Sequence, residues 1–192
     1  MNNWSLPTSL EISGVAWQIR TDYRAIIDIM IVFNSAEYEA DEKWLIALNI
    51  LFIDFEKMPK EDYIEACKQA TWFFDLGQTE DDNNGHIAKN KTKLMDWEQD
   101  ANLIIPAINR VIGKEVRSLE YMHWWTFMGA YMEIGECAYS TVISIRSKRA
   151  KGKKLEKWEQ EYLTQNKSIV ELYHKKTDEE LEEERRLIEL FG

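Results

Sequence analysis

From Tyr121 to Met132 only His123 and Thr126 interrupt a run of apolar and aromatic side chains. At about 3.6 residues per turn, Met122, Trp125, Gly129 and Met132 line one face, and Trp124, Phe127, Met128 and Tyr131 line another. A helix apolar on most sides lies in a core or in a bilayer. This run is too short to span a membrane and is bounded by Glu120 and Glu133, so burial is expected. The pattern predicts a central helix, started by Ser118 and bent at Gly135, on which other segments pack.

Ahead of it, Leu10 and Ile12, then Val15, Trp17 and Ile19, alternate about Ser13-Gly14. That is the pattern of a β-hairpin. A lone hairpin is marginal in water, so its apolar side is expected on the helices that follow. Thr21-Asp22 starts a helix carrying Tyr23, Ile26, Ile29, Met30 and Phe33, ending near Asn34-Ser35. A second opens near Asp41 with Trp44, Leu45, Leu48, Leu51, Phe52 and Phe55 on one face. A third takes Pro59 in its first turn, uses Tyr63, Ile64, Cys67, Ala70 and Phe74, and stops at Gly77.

Apolar content collapses over residues 78–93, which read as a polar loop. Asp96-Trp97-Glu98-Gln99-Asp100 opens the next helix, with acids at the positive end of its dipole. Its stripe is Leu103, Ile104, Ala107, Ile108 and Val111; Pro106 is expected to bend it near Asn102, and Gly113 closes it. Ala138, Tyr139, Val142 and Ile143 mark a further helix; after Gly152 a stripe resumes with Leu155, Trp158, Tyr162, Ile169, Leu172 and Tyr173. The end, 176–192, reads as an acidic amphipathic helix with Leu181, Leu187, Ile188, Leu190 and Phe191 on its apolar side. The expected fold is mainly α: a helical bundle-like domain with a short N-terminal β-hairpin. Its parts are 1–77 (hairpin plus three helices), the loop 78–93, the helices of 94–175, and the terminal helix.

Composition narrows the function. A formal net charge of −10 over 192 residues opposes general nucleic-acid affinity. The two cysteines, Cys67 and Cys137, are far apart, each in an apolar helical pattern; they read as buried free thiols in a reducing cytosol. Met1-Asn2-Asn3-Trp4 carries no signal-peptide pattern, so a cytoplasmic location is expected.

Enzyme signatures such as GxGxxG, the P-loop, HExxH and GxSxG are missing. Asp81-Asp82-Asn83-Asn84-Gly85 lacks the ligand alternation and closing Glu of a calcium loop. His86, His123 and His174 share no ligand spacing, and His123 reads as a core histidine bonded through one ring nitrogen. The pairs Asp96/Asp100 and Glu133/Glu136 have acid–base spacing, but solvated helix faces and helix N-termini account for them. No catalytic, cofactor or metal residue is assigned. The run Arg146, Lys148, Arg149, Lys151, Lys153, Lys154 and Lys157 before Trp158 is the one nucleic-acid footprint; a solvated turn offsetting the acidic tail is the competing reading. Surplus amphipathic helices at a chain end serve helix-in-groove or oligomer contacts, or pack back on their own domain. For partner contact the residues singled out are Trp158, Tyr162, Ile169, Leu172, Leu181 and Ile188.

Three segments carry a family likeness: the hairpin running into Thr21-Asp22-Tyr23-Arg24; Asp96-Trp97-Glu98-Gln99-Asp100-Ala101 with Ile104 and Ile105; and His123-Trp124-Trp125-Thr126-Phe127 followed by Ile143 and Arg146. With these the chain resembles the bacteriophage "Gp fifteen" family of siphophages and prophages of Gram-positive bacteria, over roughly residues 5–175. The resemblance implies a tail assembly chaperone that coats the tape measure protein, keeps it soluble and gives way as tube subunits polymerise. Its implied partners are the tape measure protein and a second copy or companion tail chaperone, with no membrane and no catalysis. A nucleic-acid-associated phage protein using 146–157 and a minor structural tail component are the alternatives.

Overall fold

The computed structural model describes residues 4–78 and 92–173, together with Arg185, Arg186 and Glu189. The chain runs β1 (Ser9–Ile12), β2 (Val15–Gln18), α1 (Tyr23–Asn34), α2 (Ala40–Leu51) and α3 (Tyr63–Phe74). After 79–91 come α4 (Ala101–Ile112), α5 (Trp124–Met132), α6 (Ala138–Ala150), α7 (Lys157–Gln165) and the short α8 (Lys167–Val170). The fold is mainly α with an N-terminal antiparallel hairpin, as the patterning predicts. The loop expected over 78–93 falls almost wholly outside the described residues. So does the terminal helix of 176–192, apart from the three residues named above.

The hairpin turns at Ser13-Gly14, both at positive φ (50° and 77°), the pair of dihedrals that lets a two-residue turn follow the strand twist. Ser13 also ties the tip to α3: its Oγ donates to Asp62 Oδ1 at 2.6 Å and its amide to Glu65 Oε2 at 3.2 Å. Leu10 and Ile12 are fully buried, so the hairpin does lie on the helices. Beyond β2 the chain continues antiparallel to the end of α2, with the Arg20 amide donating to the Leu51 carbonyl and the Ile53 amide to Gln18.

This pairing explains why α2 ends at Leu51 and not at Phe55. Arg20 donates through Nη1 to the carbonyls of Asn49, Ile50 and Phe52, satisfying acceptors that the helix end leaves free. Phe52 then turns extended, fully buried, and Phe55 falls in a 3-10 turn. The stripe of α2 is rotated accordingly: Ala47, Leu48 and Leu51 are buried while Leu45 is exposed. Pro59 precedes a separate 3-10 turn, so α3 begins at Tyr63; its buried stripe is Ala66, Ala70 and Phe73, and Ile64 faces outward.

Asp100 is the N-cap of α4, so Asp96-Trp97-Glu98-Gln99 form a turn ahead of the helix. Pro106 does sit inside α4, and Gly113 at φ 70° ends it. His123, not Ser118, caps α5; Ser118 belongs to a 3-10 turn over Val116–Ser118. One large apolar cluster reaches from Leu10 to Tyr139, and a second, small one joins Val142, Ile145 and Val170. No described helix is long and apolar enough to cross a membrane.

Candidate protein-binding surface

The three segments of the likeness fold onto one another. Asp22 caps α1, accepting from the Arg24 amide, and its other oxygen accepts from the Met122 amide at 3.1 Å. The Tyr23 amide donates to Met122, and the Trp124 amide to Thr21 at 2.7 Å, so the entries to α1 and α5 pair as a short antiparallel bridge. Tyr23 stacks flat on Phe127, ring centroids 4.5 Å apart. Trp97 of the middle segment lies 6.1 Å from Trp124 and 6.2 Å from Phe127.

The tryptophan pair also grips α3. Trp124 Nε1 donates to the Phe74 carbonyl and Trp125 Nε1 to the Phe73 carbonyl at 2.9 Å, two of the acceptors that a helix C-terminus leaves unpaired. Gly77, at φ 81°, lets the chain turn away here; a Cβ at this position would stand 3.0 Å from the Trp125 ring. His123 is 3% exposed. Its Nδ1 accepts the Trp125 amide, so Nε2 carries the proton and donates to the Pro7 carbonyl. Both ring nitrogens are used, one more than the sequence led us to expect. Burial pushes the imidazole pKa down, against a smaller upward pull from the Pro7 carbonyl. A group so occupied caps a helix; it is not placed to act as a base.

Arg146 departs furthest from its reading as part of a basic surface run. It is buried, and its guanidinium makes a bidentate pair with the Asp100 carboxylate at 2.6 and 2.8 Å. Its remaining N–H groups donate to the carbonyls of Leu94, Ile169 and Val170, so all five donors are satisfied. Asp100 is therefore no solvated helix-face acid. Asp96 is buried too, accepting from the amides of Glu98 and Gln99 and pairing with Lys93. Burial alone would raise its pKa, but those donors hold it below the ordinary carboxylate value. The sequence carried one signal: Tyr139, Val142 and Arg146 share a helical stripe, so Arg146 stood on the buried face.

Lys148 is likewise drawn inward, pairing with Glu159, which is 1% exposed. The lysine and the Glu156 amide hold the Glu159 carboxyl below its ordinary pKa. Gln99 pairs with the backbone of Tyr173 as a strand would, donating to its carbonyl and accepting its amide. These contacts fasten α7 and α8 to α6, over the small cluster of Val142, Ile145 and Val170 with Leu103, Leu155, Tyr162 and Leu163 around it.

Of the residues singled out for partner contact, Trp158 is 55% exposed and Ile169 42%, both on this lobe, with Tyr173 exposed nearby in sequence. Tyr162 and Leu172 are half-buried, Tyr162 against the small cluster. Leu181 and Ile188 lie outside the described residues. Cys67 and Cys137 are free thiols but half-buried, not buried; burial raises the Cys67 pKa. Among the described residues no group of three His, Cys, Asp or Glu could hold a metal. The Asp81–Gly85 run is outside them.

The family model described as Bacteriophage Gp15 protein matches residues 3–172. The chain belongs to that family. No curated protein and no solved structure matches it. Every residue of the three likeness segments falls inside the Gp15 match, and most of them make core or capping contacts. What these segments specify is the scaffold. The Gp15 match stops one residue before Tyr173, so the acidic end lies beyond it.

Proposed function

We propose that this phage protein is a tail assembly chaperone, which binds the tape measure protein and keeps it soluble in the host cytoplasm while the tail is built, without catalysis or a cofactor. The observation that carries the reading is the C-terminal lobe. Val142, Ile145 and Val170 are buried beneath it, yet Trp158, Ile169 and Tyr173 are exposed. Trp158 on α7 and Ile169 on α8 suit an amphipathic helix of a partner, and a few such anchors dominate binding energy. The net charge of −10 helps keep such a carrier soluble. The nucleic-acid reading is weakened because Arg146 and Lys148 are spent on internal carboxylates.

Co-expression with the tape measure protein of the same phage tests the proposal. A soluble complex is expected, and Trp158→Ser with Ile169→Ser is expected to weaken it. A tape measure protein equally soluble on its own argues against the role. The protein is also expected to be missing from purified virions by mass spectrometry; its presence at stoichiometric level would favour a structural tail component.

A further inference from the structure

Between α4 and the start of α6 lies a hollow of about 280 Å³, lined by Leu103, Pro106, Ala107, Arg110, Ala138 and Tyr139, together with Asn102 and Cys137. The short side chains of Ala107 and Ala138 leave the space. Tyr139 offers its ring, since its hydroxyl is bonded to that of Tyr131. Asn102, Pro106, Arg110 and Ala138 are exposed, so the hollow opens to solvent, and no carboxylate lines it. Arg110 spends one donor, Nη1, on the Glu136 carbonyl at 3.0 Å and makes no ion pair among the described residues. That bond holds the guanidinium against the turn ahead of α6, where a Cβ on Gly135 would stand 3.7 Å from Nη2. The amides of Ala138 and Tyr139 find no acceptor among the described residues, while that of Ser140 donates to Cys137 Sγ. On the other wall Pro106 has no N–H, so the Asn102 carbonyl lacks its usual helical donor.

We propose that this hollow docks a peptide segment of a partner protein, one that carries a single carboxylate beside a Leu- or Phe-sized apolar side chain. The apolar side chain fills the space over Leu103, Ala107 and the Tyr139 ring. The carboxylate meets the free edge of the Arg110 guanidinium, a charge-assisted contact of the stronger kind. The Asn102 carbonyl accepts a peptide N–H, which a small carboxylic acid does not offer. Small-molecule sites run from roughly 300 to 1,000 Å³ and enclose most of their ligand; this hollow is smaller and open, which suits a side chain presented on a chain. The net charge of −10 repels polyanions, so one carboxylate is matched and a nucleic acid is not. Trp158, Ile169 and Tyr173 take no part in the hollow, so the inference stands apart from the role given to the C-terminal lobe.

Panning a displayed library of random peptides on the full chain tests it. Enriched peptides are expected to share one Asp or Glu beside Leu, Phe or Met. A synthetic copy of the best one, followed by fluorescence anisotropy, should lose at least about tenfold in affinity when its acid is changed to the amide, and again on Arg110→Glu. Ala138→Trp, which fills the hollow from an exposed position, should weaken it as much. Near-ultraviolet circular dichroism of the free variants should match the unaltered chain. A lysine in place of the peptide's acid should restore binding to the Arg110→Glu variant. A library that yields no enriched peptide, or peptides without an acid, would overturn the proposal. So would binding that is indifferent to the amide change, to Arg110→Glu or to Ala138→Trp.

Discussion

Trp124 and Val170 are both buried, but different forces hold them there. Around Trp124 the apolar cluster runs from the hairpin through α1–α5, and indole, imidazole and backbone groups interlock. Around Val170 the apolar cluster has three buried members, and most of the attachment is polar: Arg146 with Asp100, Lys148 with Glu159, Gln99 with the Tyr173 backbone. A large apolar core gives stability roughly in proportion to its buried area. A buried ion pair gives geometry more than stability, because desolvation cancels much of its attraction. The core should therefore unfold globally, while the α7–α8 lobe opens locally at lower cost.

Trp124→Ala should strike hardest. It leaves a cavity and an unpaired Phe74 carbonyl, costing about 3–5 kcal/mol in chemical denaturation across the whole chain. Arg146→Ala strands the buried Asp100 carboxylate and three carbonyls, costing about 3 kcal/mol. Here the loss should appear as faster amide exchange in α7 and α8, with α1 and α5 protected nearly as before. Restoration by a second change, Asp100→Leu beside Arg146→Met, would identify the stranded charge as the cause.

Acid should part the two regions at different pH. His123 has a folded pKa below its ordinary 6.5, so the unfolded chain binds the extra proton and stability falls as pH drops below about that value. His123→Asn keeps an acceptor for the Trp125 amide and should flatten that slope. Glu159 has a folded pKa below its ordinary 4.5, so its contribution is present at neutral pH and fades as pH falls below that value. Near-ultraviolet circular dichroism against pH should show both steps, and Glu159→Gln should remove the lower one. Smallest of all, Trp158→Ser should alter stability by no more than about 0.5 kcal/mol, since the ring is exposed.

The two regions were also unequally legible in the sequence. Local signals were sufficient for the hairpin, for α1 and for the core role of Trp124 and Phe127, while Trp125, expected in the core with them, is half-buried against it; period and turn chemistry are written within a few residues of each other. The end of α2 was not legible, since Arg20, 32 residues from Phe52, decides it. The Arg146–Asp100 pair spans 46 residues and joins two segments that each had a plausible solvated reading. His123 as a helix cap was missed because an imidazole is a rare cap and Ser118 stood close by. Nothing in the sequence marked Lys148 and Glu159 as partners apart from their charge.

Native-state hydrogen exchange, read by mass spectrometry under conditions where opening is at equilibrium, tests the division most directly. Amides of α7 should open at a free energy at least about 2 kcal/mol below those of α1 and α5, and Arg146→Ala should widen that gap. A single opening energy shared by all these helices, lowered equally by the substitution, would contradict it.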